Sequence, residues 1–525
     1  MEENKIDRRN FIKLGSIGAS VLITWPLLNS CNGLAAQNDN VDLNFQADVD
    51  IELTAKEANV QLLPGSKTKV WMFDGNLIGG DKTAIQKLGN GYLGPVIRVK
   101  KGQKIRIRFK NQLPEESIVH WHGMHVPEKD DGHPKDVIGN GETYIYEFEI
   151  MNRAGTYWFH PHPHGRTGPQ VYNGLAGLFI VTDDEEQQLK LPSGEYDVPV
   201  VIQDRLFDGN NQLVYLSRGR MDKMNGFLGN RILINGNLNR ELSLKSGCVY
   251  RLRFLNGSNS RFYKLAWEDG TPLIVIGKDG SLLDRPVSML YIMLGVAERV
   301  DLWLDLRDRS NGSQMVMKSL SFSHGMMGMM GGMRNRGRNN LPLGSTYDVL
   351  KISLDREGSN NFQLPQKLAV FNKLDPATTV NRSNPRTFSF FMRRMQWTIS
   401  GRTWEMTGVT KDETVKLNTT EIWEIVNSGG NRGMMGGGMQ MPHPFHIHHL
   451  QFNILERDIS GVDSRIWNSV KDGFIDSGWQ DTVLLMPGMK VKLIMRFEDF
   501  KGLFLYHCHN LEHEDMGMMR NFKVE

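Results

Sequence analysis

The sequence predicts an all-β protein built from three β-sandwich domains of one type, and three observations carry that expectation. Short alternating runs come first. Val96-Ile97-Arg98-Val99 and Ile105–Phe109 flank a Lys-Gly-Gln turn, Tyr144–Ile150 alternates apolar with polar, and long helical periodicities are scarce. An internal repeat comes second. Val99–Asn111 (VKKGQKIRIRFKN) matches Leu244–Asn256 (LKSGCVYRLRFLN), with Gly102 over Gly247, Arg106 over Arg251 and Phe109 over Phe254. A fainter copy, Leu417–Asn427 (LNTTEIWEIVN), falls in the last third, so the copies lie about 150 residues apart. Third, 525 residues with 40% hydrophobic and 23% charged side chains suit about three ordinary globular domains.

In chain order, residues 1–40 read as a leader. Asp7-Arg8-Arg9-Asn10-Phe11 is a twin-arginine pattern, and the apolar run Leu14–Leu28 is shorter than the roughly 20 residues a membrane span needs. Leu28-Asn29-Ser30-Cys31 resembles a lipobox that would lipidate Cys31; cleavage near Leu34-Ala35-Ala36, with Cys31 discarded, is the alternative. The expectation is a bacterial protein that is exported, either periplasmic or a membrane-tethered lipoprotein, with no transmembrane span. Residues 41–188, 189–362 and 363–525 are the expected domains, the second carrying a methionine-rich loop at 324–338. A net charge of +3 gives no reason to expect nucleic acid or a polyanionic surface as partner. Of the three cysteines, Cys248 aligns with Gln103 at a strand start and is expected to serve packing, so no disulfide is expected.

The chemistry concentrates in Leu503–Met519, LFLYHCHNLEHEDMGMM. On a strand, Cys508 faces one way while His507 and His509 face the other. Cys508, His513 and Met518 supply three of the four ligand types of a blue-copper electron-transfer site, although zinc takes similar atoms and this stretch alone leaves both metals open. A second repeat lays Gly141–His162 over Gly488–His509, bringing His160 onto His507 and His162 onto His509, with Pro161 where Cys508 stands. His120-Trp121-His122 corresponds likewise to His446-Ile447-His448. Fourteen of the fifteen histidines lie in windows 120–164 and 443–513, leaving only His324 outside. Four His-x-His pairs from matching strands would bring eight imidazoles to one interface. Eight are too many for one ion and suit three, with two ligands on one and three on each of the others. His443, just upstream of His446, is then available to join Cys508, His513 and Met518.

His120-Trp121-His122-Gly123, His160-Pro161-His162, His443-Pro-Phe-His446-Ile-His448 and His507-Cys508-His509 resemble the four copper motifs of the multicopper oxidases, and most closely those of the bacterial copper-efflux oxidases. The resemblance covers the whole mature chain. It implies three cupredoxin-like Greek-key domains and four coppers per chain: one type 1, one type 2 and two type 3. It further implies one-electron oxidation of a reductant, transfer from Cys508 to His507 and His509, and reduction of dioxygen to two waters. Carried over, His120 and His446 bind the type 2 copper, while His122, His160, His162, His448, His507 and His509 bind the type 3 pair. Asp131 and Glu514 fall where the family places proton-relay acids; the plainer readings are a solvated loop acid and a helix-surface acid. Asp481 is a candidate to orient a ligand imidazole. His125, His133, His164 and His449 stay unassigned, and a monomer is expected.

The methionines bear on substrate. Met326, Met327, Met329, Met330 and Met333 form one glycine-spaced run; Met434, Met435, Met439 and Met441 form another. Thioethers are soft ligands that favour Cu(I), and Met441 stands two residues before His443. Cu(I) is thus the expected reductant with O2 as acceptor, in copper tolerance. The alternatives are a laccase acting on phenols or aromatic amines, a copper-binding fold without turnover, and a low-complexity loop with no metal role. The sequence departs from the efflux oxidases in one respect: their substrate ligands include an acid, whereas Met439 stands in its place. No Asp or Glu occurs between Phe322 and Leu341, and Arg334, Arg336 and Arg338 are unfavourable to a cation.

Overall fold

A computed structural model describes residues 44–325, 341–370, 373–428 and 440–525. The leader with Cys31, and Met326, Met327, Met329, Met330, Met333 and Met439, lie outside the described residues. Within them the strands form six sheets, two drawn from each third of the chain. Each pair packs face to face around its own apolar core, centred on Trp121 and Phe109 in the first, Trp267 and Phe254 in the second, and Trp423 and Phe497 in the third. No helix among the described residues is long and apolar enough to cross a membrane.

The repeat seen in sequence is one structural position used three times. Lys104–Asn111, Val249–Asn256 and Thr419–Asn427 each pair in parallel on one side, with Val49–Val60, Asp197–Arg205 and Arg386–Arg393. Each pairs antiparallel on the other, with Thr143–Glu149, Arg299–Asp305 and Lys490–Phe497. The turn before each strand needs a left-handed residue: Gly102 has φ 86° and Gly247 76°, and in the faint third copy Asn418 takes φ 62°. Each strand also ends on a buried asparagine whose amide ties down two loop carbonyls. Asn111 Nδ2 donates to Glu115 O and Ile138 O, Asn256 Nδ2 to Arg261 O and Leu294 O, and Asn427 Nδ2 to Met441 O and Leu485 O.

Aligned residues do not share environments. Arg106 pairs with Glu147 near the surface of the first sandwich, whereas Arg251 is fully buried and pairs with Glu186 and Asp301. Arg253 beside it reaches Asp197 and the Thr156 hydroxyl. These partners include residues of the first third, so the middle sheet turns toward it the face that the first sheet shows to solvent. Cys248 is buried in the middle core, and neither it nor Cys508 forms a disulfide.

Candidate metal centre

Strand alternation and register place the candidate ligands. Val119–His122 pairs with Gly155–Pro161 so that His120 opposes His160; His443–Ile447 pairs with Gly502–Cys508 so that His446 opposes His507. Trp121 and Ile447, between the paired histidines, turn into the two cores. All eight imidazoles are completely buried and converge where the first and third sandwiches meet. His120 Nε2 lies 3.4 Å from His446 Nε2, and His507 Nε2 lies 3.2 Å from His448 Nε2 and 3.4 Å from His162 Nε2. The rings of His120 and His448 stack at 3.6 Å, as do those of His122 and His446. Three groupings of donor atoms result: His120, His122 and His446; His122, His160 and His509; His162, His448 and His507.

The hydrogen bonds fix which nitrogen is bare. A carbonyl only accepts, so the Nδ1 hydrogens of His120, His446, His160 and His507 are donated to Asp131 O, Asp481 O, Pro161 O and Cys508 O. His448 Nδ1 lies 2.8 Å from Asp131 Oδ2. For these five rings Nε2 is left to point into the shared space. His122 is reversed: its Nε2 lies 3.0 Å from Asp481 Oδ1, and its Nδ1 is bare. His122 Nδ1, His160 Nε2, His162 Nδ1 and both ring nitrogens of His509 are buried without a hydrogen-bond partner. Burial, and then repulsion among the rings, pushes the pKa of His122, His160, His162, His446, His448 and His509 well below the usual range; burial holds His507 at about 3. Neutral imidazoles aiming bare lone pairs at one another are a donor set for metal ions.

Cys508 faces away from this cluster, as alternation requires. Its sulfur lies 3.3 Å from His443 Nδ1 and 3.7 Å from His513 Nδ1. Asn510 caps the short helix Leu511–Asp515 and returns His513 toward the thiol. Met518 is fully buried, its amide donating to His513 O and its carbonyl accepting from Cys508 N. Burial pushes the Cys508 thiol up and His443 down to about 3, so a soft cation is what would favour the thiolate here. The indole of Trp397 lies 4.7 Å from both the His443 and His513 rings, and its Nε1–H donates to Met224 O, 3.2 Å from His513 Nε2.

Neither plainer reading of the acids holds. Asp131 is completely buried, between His448 and His120. Glu514 is buried with its carboxyl 3.2 Å from His507 Nδ1 and 3.5 Å from His162 Nε2; burial, then the charge of Asp515, lifts its pKa well above normal. The rest of that helix could not be read from sequence: Glu512 is held by Tyr215, Asn259 and Ser260, and Asp515 accepts from the Thr167 and Gly168 amides. The unassigned histidines hold structural partners or face solvent. His125 bridges His449 O and Asp499, His133 meets Asn521, His449 stacks on Phe504, and His164 is exposed.

Fold and site together define an all-β redox protein whose outer sandwiches enclose a histidine cluster beside a thiolate–imidazole site, a donor set that fits copper. Multicopper oxidase family models match residues 54–186 and 378–525. The multicopper oxidase mco of Staphylococcus haemolyticus is 33% identical over 432 residues, 82% of either chain. A Bacillus subtilis laccase is 29% identical, covering 90% of this chain and 94% of its own. The solved McoA multicopper oxidase of the hyperthermophile Aquifex aeolicus gives a TM-score of 0.75 at 32% identity, covering 92% of this chain and 97% of its own. The chain belongs to the multicopper oxidases. It is an oxygen-dependent oxidoreductase of cupredoxin-like sandwiches, and copper is the metal its family implies.

Proposed function

We propose that this multicopper oxidase is exported and uses Cu(I) as its reductant, serving copper tolerance. One observation carries the choice of substrate. Gly325 and Gln440, the described residues that border the two methionine runs, touch: a Cβ on Gly325 would lie 2.6 Å from Gln440 O. The described residues that border the two runs therefore meet next to Met441, three residues from His443. Met441 is buried in the third core, its carbonyl held by Asn427, and His324 is largely buried against Phe322 at the root of the first run. Thioethers gathered there would offer Cu(I) a soft site beside the His443 imidazole.

Four coppers are assigned. His443, Cys508, His513 and Met518 hold the type 1 ion, and His120 and His446 the type 2 ion. His122, His160 and His509 hold one type 3 ion; His162, His448 and His507 hold the other. Bound copper supplies one-electron transfer and the reduction of dioxygen to water. Cys508 is joined by its own backbone to His507 and His509, the shortest covalent link between the two sites. Glu514 carries a proton to the His507 side of the cluster, and Asp131 orients His448 and relays protons on the opposite side. Per dioxygen, four Cu(I) each lose one electron and four protons are consumed.

Oxygen uptake with Cu(I) and with a phenol, before and after deletion of residues 326–333, tests the substrate. Cuprous uptake should fall while phenol uptake persists; unchanged cuprous uptake would remove Cu(I) as the designed reductant. A second reading, a laccase for aromatic reductants, rests on a surface cavity of about 460 Å3 lined by Arg220, Lys223, Met395, Gln396 and Met516. It flanks Trp397 and Met224, the residues that cover His513.

A further inference from the structure

The middle sandwich contributes no donor atom to any of the candidate ligand groups among the described residues. One of its side chains nevertheless ends against the histidine cluster. Arg299 opens the strand Arg299–Asp305 and is completely buried. Its Nε donates to Thr156 O at 2.8 Å, on the strand that carries His160. Its two terminal nitrogens grip the Asp481 carboxylate of the third sandwich, Nη1 to Oδ1 at 2.7 Å and Nη2 to Oδ2 at 2.5 Å. Nη1 also donates to Ala297 O at 2.9 Å, so the fork is held from its own strand as well.

Asp481 in turn meets the first sandwich. Oδ1 accepts the Thr482 hydroxyl at 2.9 Å and lies 3.0 Å from His122 Nε2. A carboxylate clamped by a guanidinium can only accept, so the imidazole hydrogen sits on Nε2. Nδ1, the atom without a partner, is then the nitrogen left free for the group that His122 forms with His160 and His509. The residue after His122 is shaped by the same pair. Gly123 has φ 84°, and a Cβ there would strike Asp481 Oδ2 and come within 3.1 Å of Arg299 Nη2.

We propose that Arg299 is a positioning residue for the trinuclear copper site, acting through Asp481 to set the tautomer and the aim of His122, with Gly123 leaving room for the pair. The middle domain thus governs a site to which it gives no ligand. This rests on the copper assignment above but not on the choice of reductant.

The test uses the full-length, copper-loaded protein and its Arg299→Lys, Arg299→Met and Gly123→Ala variants. Copper per chain, the blue absorption of the Cys508 site, paramagnetic resonance of uncoupled copper, kcat and KM for one reductant, and the unfolding temperature of the copper-free form are measured. Arg299→Lys keeps the charge but not the fork. It should keep the blue absorption, the KM and the copper-free unfolding temperature, while copper is lost or uncoupled at the cluster and kcat falls about 10–100-fold, the usual cost of losing a partner behind a metal ligand. Arg299→Met and Gly123→Ala should go further in the same direction. The proposal is overturned if Arg299→Lys and Gly123→Ala keep all their copper and wild-type kcat. It is equally overturned if the blue absorption and the cluster decline together in step with the unfolding temperature, since Arg299 would then be a clamp between domains and nothing more. A wild-type protein without cluster copper would instead fault the ligand assignment.

Discussion

Replacing Asn427 by alanine should damage one copper site and spare the other. The Asn427 amide donates to Met441 O at 2.9 Å and to Leu485 O at 3.1 Å, and it is almost fully buried. Truncation removes two hydrogen bonds worth about 1 kcal/mol each net, and it strands two buried carbonyls whose desolvation adds to that cost. A loss of about 2–4 kcal/mol is expected. For a domain of this size that lowers the unfolding temperature by on the order of 4–16 °C. Met441 lies two residues before His443, and Leu485 is the strand partner of His443. The relaxed loop should therefore weaken or shift the blue absorption of the Cys508 site while copper at the histidine cluster stays in place. Asn111→Ala and Asn256→Ala are built-in controls, because each removes the same pair of bonds from another sandwich. They should lower stability similarly and leave the blue absorption alone. Calorimetry of the copper-free proteins and visible spectra of the loaded ones decide it. Equal spectral effects from all three variants, or no loss of stability in any, would refute the reasoning.

Further outcomes follow from the same contacts. Cys508→Ser should abolish both the blue absorption and oxygen uptake with every reductant, and retained uptake would break the proposed link to His507 and His509. Asp130 is buried with no hydrogen bond to Oδ2, which lies 3.9 Å from Lys129 Nζ, and burial lifts its pKa to about 7. The native state thus keeps a proton that the unfolded state releases near 3.8, the ordinary value for an aspartate. Stability should fall as pH rises between those two values, by on the order of 4 kcal/mol in total. Asp130→Asn should flatten that part of a stability–pH curve, and a curve parallel to wild type would refute the assignment. If the cavity over Met224 takes organic reductants, Arg220→Glu with Lys223→Glu should raise KM several-fold for an anionic aromatic reductant and lower it for a cationic one, leaving Cu(I) kinetics unchanged; equal KM values would dismiss the cavity.

The candidate ligand positions were legible because strand alternation makes His-x-His a statement about one face, and because matching strands in the two outer thirds place such faces opposite each other. The repeat was legible for the same reason: the left-handed turn residue and the terminal asparagine are dictated by local geometry. What sequence could not supply depends on packing between domains. Arg251 aligns with Arg106 but is buried, since the neighbouring sandwich covers it. Glu514 lies on the inside of its short helix, which nothing in the HNLEHED stretch decides. The Arg299–Asp481–His122 chain joins residues hundreds of positions apart and all three domains. The Met224 contact uses a backbone carbonyl, which no side-chain motif reports.

The histidine cluster straddles the seam between the first and last sandwiches, so neither half can bind its ions alone. His120 and His122 must wait for partners more than three hundred residues downstream. A chain still emerging from the ribosome, or cut short before His509, has isolated pairs of rings but no complete cage. Binding of metals at the cluster would therefore require that synthesis has finished and the ends have met, so metal content sets a lower bound on the properly assembled fraction in any preparation.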